Sequence, residues 1–181
     1  MVAPASRRDA ERMNSTDRTD GPLVLCYDGS EDAKHAIESA GKLLVSRHAL
    51  VVTVWQPIGG LGSVGLGGVA WSGGAASMVN FVELDRVAAE EGGRVADEGV
   101  RIAQETGLEA EPVAVKATGP VWTTILEIAD RHDAAAIALG SRGLTGVRSM
   151  LLGSVSSAVV HHTDRPTLVV HLPDRADVDP D

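Results

Sequence analysis

The chain has 181 residues, 44% of them hydrophobic, and this length favours one domain with a single substantial core. Its formal net charge of −9 argues against a nucleic-acid or anionic-membrane partner, because no surplus of Lys and Arg exists to neutralise a row of phosphates. The single cysteine, Cys26, excludes an intramolecular disulfide. No apolar run approaches the roughly 20 residues that a membrane-spanning helix needs.

The two ends differ in composition from the rest of the chain. Residues 1–20 are polar and lack the apolar centre of a signal peptide, so we expect a flexible tail on a cytoplasmic protein. Residues 174–181 are acidic and end close to a proline, and we expect them to trail off the domain. The folded domain is therefore predicted over residues 21–173.

Within this domain, apolar runs of strand length alternate with longer segments of helical period. That alternation predicts repeated βα units, and hence one doubly wound five-stranded parallel sheet with helices on both faces. The predicted strands are Leu23–Asp28, Leu50–Gln56, Pro112–Ala117, Ala134–Gly140 and Thr167–Leu172.

The helix signals fall between these runs. Ser30 is a candidate N-cap for the first helix, and Gly107 is a candidate C-terminal stop for a second helix over residues 80–106. A third helix is predicted to start at Gly119-Pro120, with Pro120 at its first helical position. The last is predicted over residues 153–162.

Residues 57–77 contain glycines throughout and no periodic apolar face, so they predict a long loop after strand two. A loop of this length is either a functional lid or plain disorder, and the residues favour neither.

The loop after strand four, residues 140–154, is rich in glycine and leads into a helix. In open parallel sheets, ligands bind beyond the carboxyl ends of the strands, where the strand order reverses. Glycines let backbone N–H groups approach a ligand closely, and a helix start adds further donors and a favourable dipole, so a phosphate chain is the matching ligand. Ser154 could donate to phosphate, and Arg142 or Arg148 could neutralise its charge, although either arginine could equally be an ordinary surface charge.

The spacing Gly140-x2-Gly143-x9-Gly153-Ser154 resembles the G-x2-G-x9-G-(S/T) nucleotide motif of ATP-binding universal stress proteins. The resemblance extends over residues 22–173, through Val24–Ser30, Val51–Trp55, Gly119-Pro120 and Arg165–Val170. It implies a Rossmann-like fold of the adenine nucleotide alpha hydrolase-like type, with ATP as ligand and Mg²⁺ on its phosphates. It also implies a homodimer built around the last strand, Thr167 to Leu172.

The same resemblance assigns residues to the ATP site. Asp28 would contact the nucleoside, Cys26 would contribute only backbone, Val54 would contact adenine, and Gly119 would lie against the nucleotide. The residues that would wrap ribose and phosphates are Gly140, Ser141, Arg142, Gly143, Leu144, Thr145 and Gly146, with Gly153, Ser154 and Val155 completing the phosphate cradle.

Plainer interpretations stand beside these. Asp28-Gly29 could be only a turn into the first helix, and the glycines of 140–154 could make only a flexible connection. Cys26 in an apolar strand is expected to be a small buried hydrophobe without chemistry. His161 and His162 are adjacent, so they do not share a helical face as zinc ligands would, and no metal ligand set is assigned.

Residues 140–154 contain no lysine, so the Walker-type arrangement is absent, and no nucleophile with an activating base is recognisable. We therefore expect an ATP-binding regulatory protein of the stress response rather than a fast enzyme. Two alternatives remain: a nucleotide-free dimer that acts as an interaction scaffold, and an enzyme that hydrolyses ATP slowly.

Overall fold

The computed structural model describes residues 21–44, 48–57, 81–144 and 152–172. The predicted tails and residues 58–77 of the predicted loop lie outside this part of the chain. Strands and helices alternate along it: β1 Leu23–Cys26, α1 Glu31–Leu43, β2 His48–Trp55, α2 Phe81–Glu105, β3 Glu109–Lys116, α3 Val121–Arg131, β4 Ala136–Gly140, α4 Ser154–His162 and β5 Thr167–Val170. No helix within the described ranges is long and apolar enough to cross a membrane.

The five strands form one parallel sheet in the order β3-β2-β1-β4-β5. β1 is central and pairs with β2 on one side and with β4 on the other. The chain therefore winds outward from β1 in one direction and, after β3, returns to wind outward in the other. The predicted doubly wound parallel sheet is confirmed, and its strand order reverses between β1 and β4.

Both faces of the sheet are covered. On one face Leu25 of β1 packs in a core cluster with Ile37 of α1 and Ile102 of α2. On the other face Val24 packs with Ile125 of α3 and Val159 of α4. Successive side chains of a strand point to opposite faces, so the unbroken apolar run of β1 serves both cores. This explains why the run lacks a polar alternation.

Predicted strand ends differ from the structure by up to three residues: β1 ends at Cys26, β2 spans His48–Trp55, β4 begins at Ala136 and β5 ends at Val170. The starts of β3 and α3 also differ, and each has a physical reason. β3 begins at Glu109, three residues before the predicted start at Pro112, because β2 pairs with it in full register from His48 onward. β3 is an edge strand with several exposed side chains, so its start carries no apolar signal. Pro120 is the N-cap of α3 with ψ 141°, and Val121 is the first helical residue. The fixed φ of proline suits an extended residue as well as a helical one.

Glycines in α2 permit close packing on the sheet. A Cβ placed on Gly99 would lie 2.7 Å from Val51 Cγ1 and 2.8 Å from Tyr27 Cδ1, and both of these side chains are buried. A Cβ on Gly93 would meet nothing within 4 Å. Glycine is unfavourable inside a helix, but at position 99 the space against Val51 and Tyr27 admits only a hydrogen atom.

The substitutions Gly99→Ala and Gly93→Ala form a matched pair within one helix. Gly99→Ala is expected to lower the free energy of unfolding by about 1–2 kcal/mol, because overpacking outweighs the gain in helix propensity. Gly93→Ala is expected to raise it by up to about 1 kcal/mol. Urea unfolding of both variants measures these changes, and equal stabilisation by the two would contradict the close packing of α2 on β1 and β2.

Candidate functional site

A cavity of about 430 Å³ opens at the carboxyl ends of β1, β2 and β4. This is the place where the strand order reverses and where ligands bind in open parallel sheets. Ten of the residues predicted for the ATP site line it: Cys26, Asp28, Val54, Gly140, Arg142, Gly143, Leu144, Gly153, Ser154 and Val155. The sequence motif and the cavity therefore coincide.

Four predicted residues are not placed at the cavity wall. Ser141 is 1% exposed, and its hydroxyl points to Asp32 and His171 instead of into the cavity. Gly119 does not line the cavity, and a Cβ added there would only touch Thr123 Oγ1 at 3.7 Å. Thr145 and Gly146 lie outside the described residues, as does Arg148.

The cavity wall also has an apolar part, whose residues the sequence motif does not predict. It is formed by Val52 of β2, Val121 and Ile125 of α3, and Leu139 of β4. These residues carry a signal in the sequence only as core positions of a strand or a helix. The cavity borders the hydrophobic core on the side of α3 and α4. These residues therefore belong both to the core and to the cavity wall.

Asp28 joins the two loops at the reversal point. Its Oδ1 accepts a hydrogen bond from the backbone N–H of Ser30 at 3.0 Å, and its Oδ2 accepts one from the N–H of Leu144 at 3.2 Å. Gly29, with φ 86°, completes the turn into α1. The turn interpretation and the site interpretation of Asp28 are thus both compatible with the structure.

Gly143 lies against this carboxylate. A Cβ placed on Gly143 would be 2.6 Å from Asp28 Oδ2, so a larger residue would push the loop after β4 away from β1. Gly140 is packed in a similar way, because its Cβ would lie 2.7 Å from the backbone nitrogen of Ala33 in α1. Both glycines therefore have a packing reason in addition to any contact with a ligand.

The N-terminus of α4 faces the cavity. Its N-cap is Gly153, which offers no side chain to cap the first turn, whereas Ser30 caps α1 by accepting from the N–H of Ala33. Gly153 is anchored because its N–H donates to Ser141 O at 2.6 Å. The first-turn amides of α4 and the positive end of the helix dipole thus lie beside the cavity, an arrangement that suits an anion.

Cys26 lines the cavity but is poorly suited to nucleophilic chemistry. Burial, reinforced by the negative charge of Asp28, raises the pKa of its thiol from the ordinary value of 9.0 to about 12. Among the described residues, no group of three or more His, Cys, Asp and Glu side chains is arranged to hold a metal ion. The chemistry of the site is therefore dominated by backbone amides, hydroxyls, an apolar wall, Asp28 and Arg142.

A parallel sheet with a glycine-rich loop and a helix N-terminus at its reversal point defines an α/β protein with a small-molecule cavity at the edge of the sheet. The model of the universal stress protein family matches residues 21–171. The chain belongs to the universal stress protein family, as the resemblance of the motif implied.

Known proteins agree with this assignment. A universal stress protein of Methanocaldococcus jannaschii is 29% identical over 155 residues, which cover 83% of this chain and 82% of the relative. The solved structure of the Archaeoglobus fulgidus universal stress protein in complex with dAMP has a TM-score of 0.54 at 22% identity, covering 84% of this chain and 98% of its own. A universal stress protein solved in complex with cAMP has a TM-score of 0.57 at 20% identity, covering 83% and 97%. These structures share the fold of this chain.

The raised pKa of Cys26 predicts a slow thiol. At pH 8 the native protein is expected to react with a disulfide reagent more than tenfold more slowly than the urea-unfolded chain, because so little of the folded thiol is ionised. The native rate should keep rising with pH from 8 to 10, as the thiolate fraction grows towards a pKa of about 12. A native rate that levels off near pH 9 would show an ordinary thiol and contradict the effect of burial.

Proposed function

We propose that this protein binds ATP in the cavity at the ends of β1, β2 and β4 and acts as a regulatory protein of the stress response. The observation that carries the proposal is the division of the cavity wall into an apolar side and a glycine-rich side. An adenine nucleotide has the same division, since its base is flat and weakly polar and its phosphates are strongly anionic.

The base is proposed to lie on the apolar side. Val52 and Val54 come from β2, and Val121 and Ile125 come from α3, so they line the part of the cavity away from β5. Apolar contacts of this kind hold a planar ring without demanding matched hydrogen bonds. The cavity volume of about 430 Å³ falls in the range of roughly 300–1,000 Å³ that is common for small-molecule sites.

The phosphates are proposed to lie on the side of β4 and α4. There Gly143, Gly153 and Ser154 bring backbone close to the cavity, and the first turn of α4 points its amides towards it. Backbone N–H groups and a helix N-terminus are a common anion-binding combination. Thr145 and Gly146 continue the same loop, and we propose that they contribute to this cradle.

Relatives that hold adenine nucleotides support the choice of ligand. The universal stress proteins solved with dAMP and with cAMP share the fold of this chain. ATP is favoured over a monophosphate by the resemblance of Gly140-x2-Gly143-x9-Gly153-Ser154 to the motif of ATP-binding universal stress proteins. Mg²⁺ is proposed to accompany ATP and to be held mainly by the phosphates, as is usual for this ion.

Two features of the residues support nucleotide binding without fast turnover. The segment 140–154 has no lysine, and Cys26 has a pKa too high for a nucleophile at neutral pH. Binding is proposed to change a surface seen by partners in the cytoplasm. A nucleotide-free scaffold and a slow ATPase are the alternatives.

A homodimer through Thr167–Leu172 is also proposed. β5 lies at an edge of the sheet and pairs with β4 on one side. The carbonyls of Pro166 and Val170 accept hydrogen bonds from β4 and the residue after it, so the N–H groups of Thr167 and Val169 point away from β4. A second copy could cover this edge, which otherwise risks aggregation.

Equilibrium sedimentation tests the proposed dimer. At micromolar concentration it should give twice the chain mass of 18.8 kDa, and a monomer alone would refute the dimer.

Replacing Ser154 with proline tests the phosphate cradle. Ser154 is the first residue of α4, and Gly153 before it is extended, with ψ 162°. Proline is compatible with both features, so Ser154→Pro should fold while removing one amide and one hydroxyl. Because a hydrogen bond to a charged group contributes about 1.5–3 kcal/mol, the Kd for ATP measured by calorimetry should rise by roughly 10- to 100-fold.

Glu31→Pro is the matched control. Glu31 is the first residue of α1, follows the extended Ser30 with ψ 154°, and does not line the cavity. Its Kd for ATP should equal that of the unsubstituted protein. Equal losses in the two proline variants would show a general effect on folding. An absence of both heat and thermal shift for the unsubstituted protein at millimolar Mg-ATP would overturn the proposed function.

A further inference from the structure

Four polar side chains from three parts of the fold are linked beside the glycine-rich side of the cavity. Asp32 lies in the first turn of α1, Ser141 and Arg142 follow β4, and His171 follows β5. Ser141 Oγ lies 2.9 Å from Asp32 Oδ2 and 3.0 Å from His171 Nδ1. A terminal guanidinium nitrogen of Arg142 lies 3.0 Å from His171 Nε2 and 3.2 Å from its Nδ1. The edge of β5 is thus connected to the cavity.

The chemistry of these groups sets the directions of the two hydrogen bonds of Ser141. A hydroxyl has one proton, and Ser141 donates it to the carboxylate of Asp32, so its oxygen is left to accept from His171 Nδ1–H. The guanidinium nitrogen of Arg142 lies at nearly the same distance from both ring nitrogens, so it contacts the imidazole between them and not along the in-plane lone pair of either one. Since Ser141 is 1% exposed, this orientation of the imidazole is held from the interior of the protein.

Of the four linked side chains, Arg142 is the one that lines the cavity. A free arginine side chain has high rotamer entropy, and a ligand that contacts it must order it. Contact with His171 orders the side chain before any ligand arrives. The planar fork of a guanidinium matches the oxygens of a phosphate.

We propose that His171 is a positioning residue that holds Arg142 ready for the phosphate groups of the ligand, with Ser141 and Asp32 fixing the orientation of the imidazole. The inference rests on the proposed function, because it takes the ligand of the cavity to carry phosphate. It adds to that function a residue that follows β5, lies 17 residues beyond Ser154 at the end of the glycine motif, and matches no part of that motif. His171 itself need not touch the ligand.

The test compares ATP with adenosine, which has the same base and ribose but no phosphate. Calorimetry of His171→Leu should show a Kd for ATP that is higher by about two- to tenfold, the range for ordering one long side chain. The Kd for adenosine should be unchanged. His171→Gln, whose amide oxygen can accept a hydrogen bond from Arg142 and so replace the contact with the imidazole, should recover most of the affinity for ATP.

A double-mutant cycle shows whether His171 acts through Arg142. In an Arg142→Met background, His171→Leu should cause no further loss of ATP affinity, because no guanidinium is left to position. Thermal unfolding without ligand checks that each variant is folded, and the exposed position of His171 makes a large shift unexpected.

Three results would overturn the inference while leaving ATP binding in place. They are an unchanged Kd for ATP in His171→Leu, an equal loss for ATP and adenosine, and a full additional loss in the Arg142→Met background. Failure of the unsubstituted protein to bind ATP would instead remove the proposed function, and the inference with it.

Discussion

The parallel pairing of β1 with β4 is the constraint on which the rest of the structure depends. It places the carboxyl ends of the two strands side by side, while α1 leaves to one face of the sheet and α4 belongs to the other. The loops separate at this point and leave a cavity that no helix or strand of the described residues fills. Asp28 then ties the two loops together across the gap, because its carboxylate accepts a hydrogen bond from the backbone N–H of Leu144 as well as one from Ser30 in its own loop. The cavity is therefore a consequence of the strand order.

Glycine residues, which have no side chain, are as important to this arrangement as the larger residues. Gly143 lets its loop reach the carboxylate of Asp28, Gly140 lets β4 end against α1, and Gly99 lets α2 lie on β1 and β2. At each of these positions a Cβ would come within 3 Å of a neighbouring atom. A glycine motif in this fold thus reports close packing of backbone as well as space for a ligand, and substitutions there need a stability measurement beside a binding measurement.

Much of this organisation is predictable from local patterns. The five strands, the helix starts at Ser30 and Gly153, and the loop 140–154 at the site all follow from apolar runs, capping residues and glycine spacing. The direction of the Ser141 side chain does not, because it depends on Asp32, 109 residues earlier in the chain, and on His171. The start of β3 depends on its register with β2, and the apolar wall depends on which core residues lie at the edge of the sheet. Contacts between distant parts of the chain decide these features, and local patterns do not contain them.

The proposed binding mode places adenine on the apolar side of one cavity and phosphate on its glycine-rich side. A titration of isotope-labelled protein with Mg-ATP, followed by NMR, observes both sides at once. The amides of Gly143, Gly153 and Ser154 and the methyl groups of Val52 and Val54 should shift together. With adenosine, the methyl groups should shift strongly and the Ser154 amide should not. Saturating ATP that leaves these signals in place, or that shifts only residues elsewhere on the surface, would contradict this binding mode.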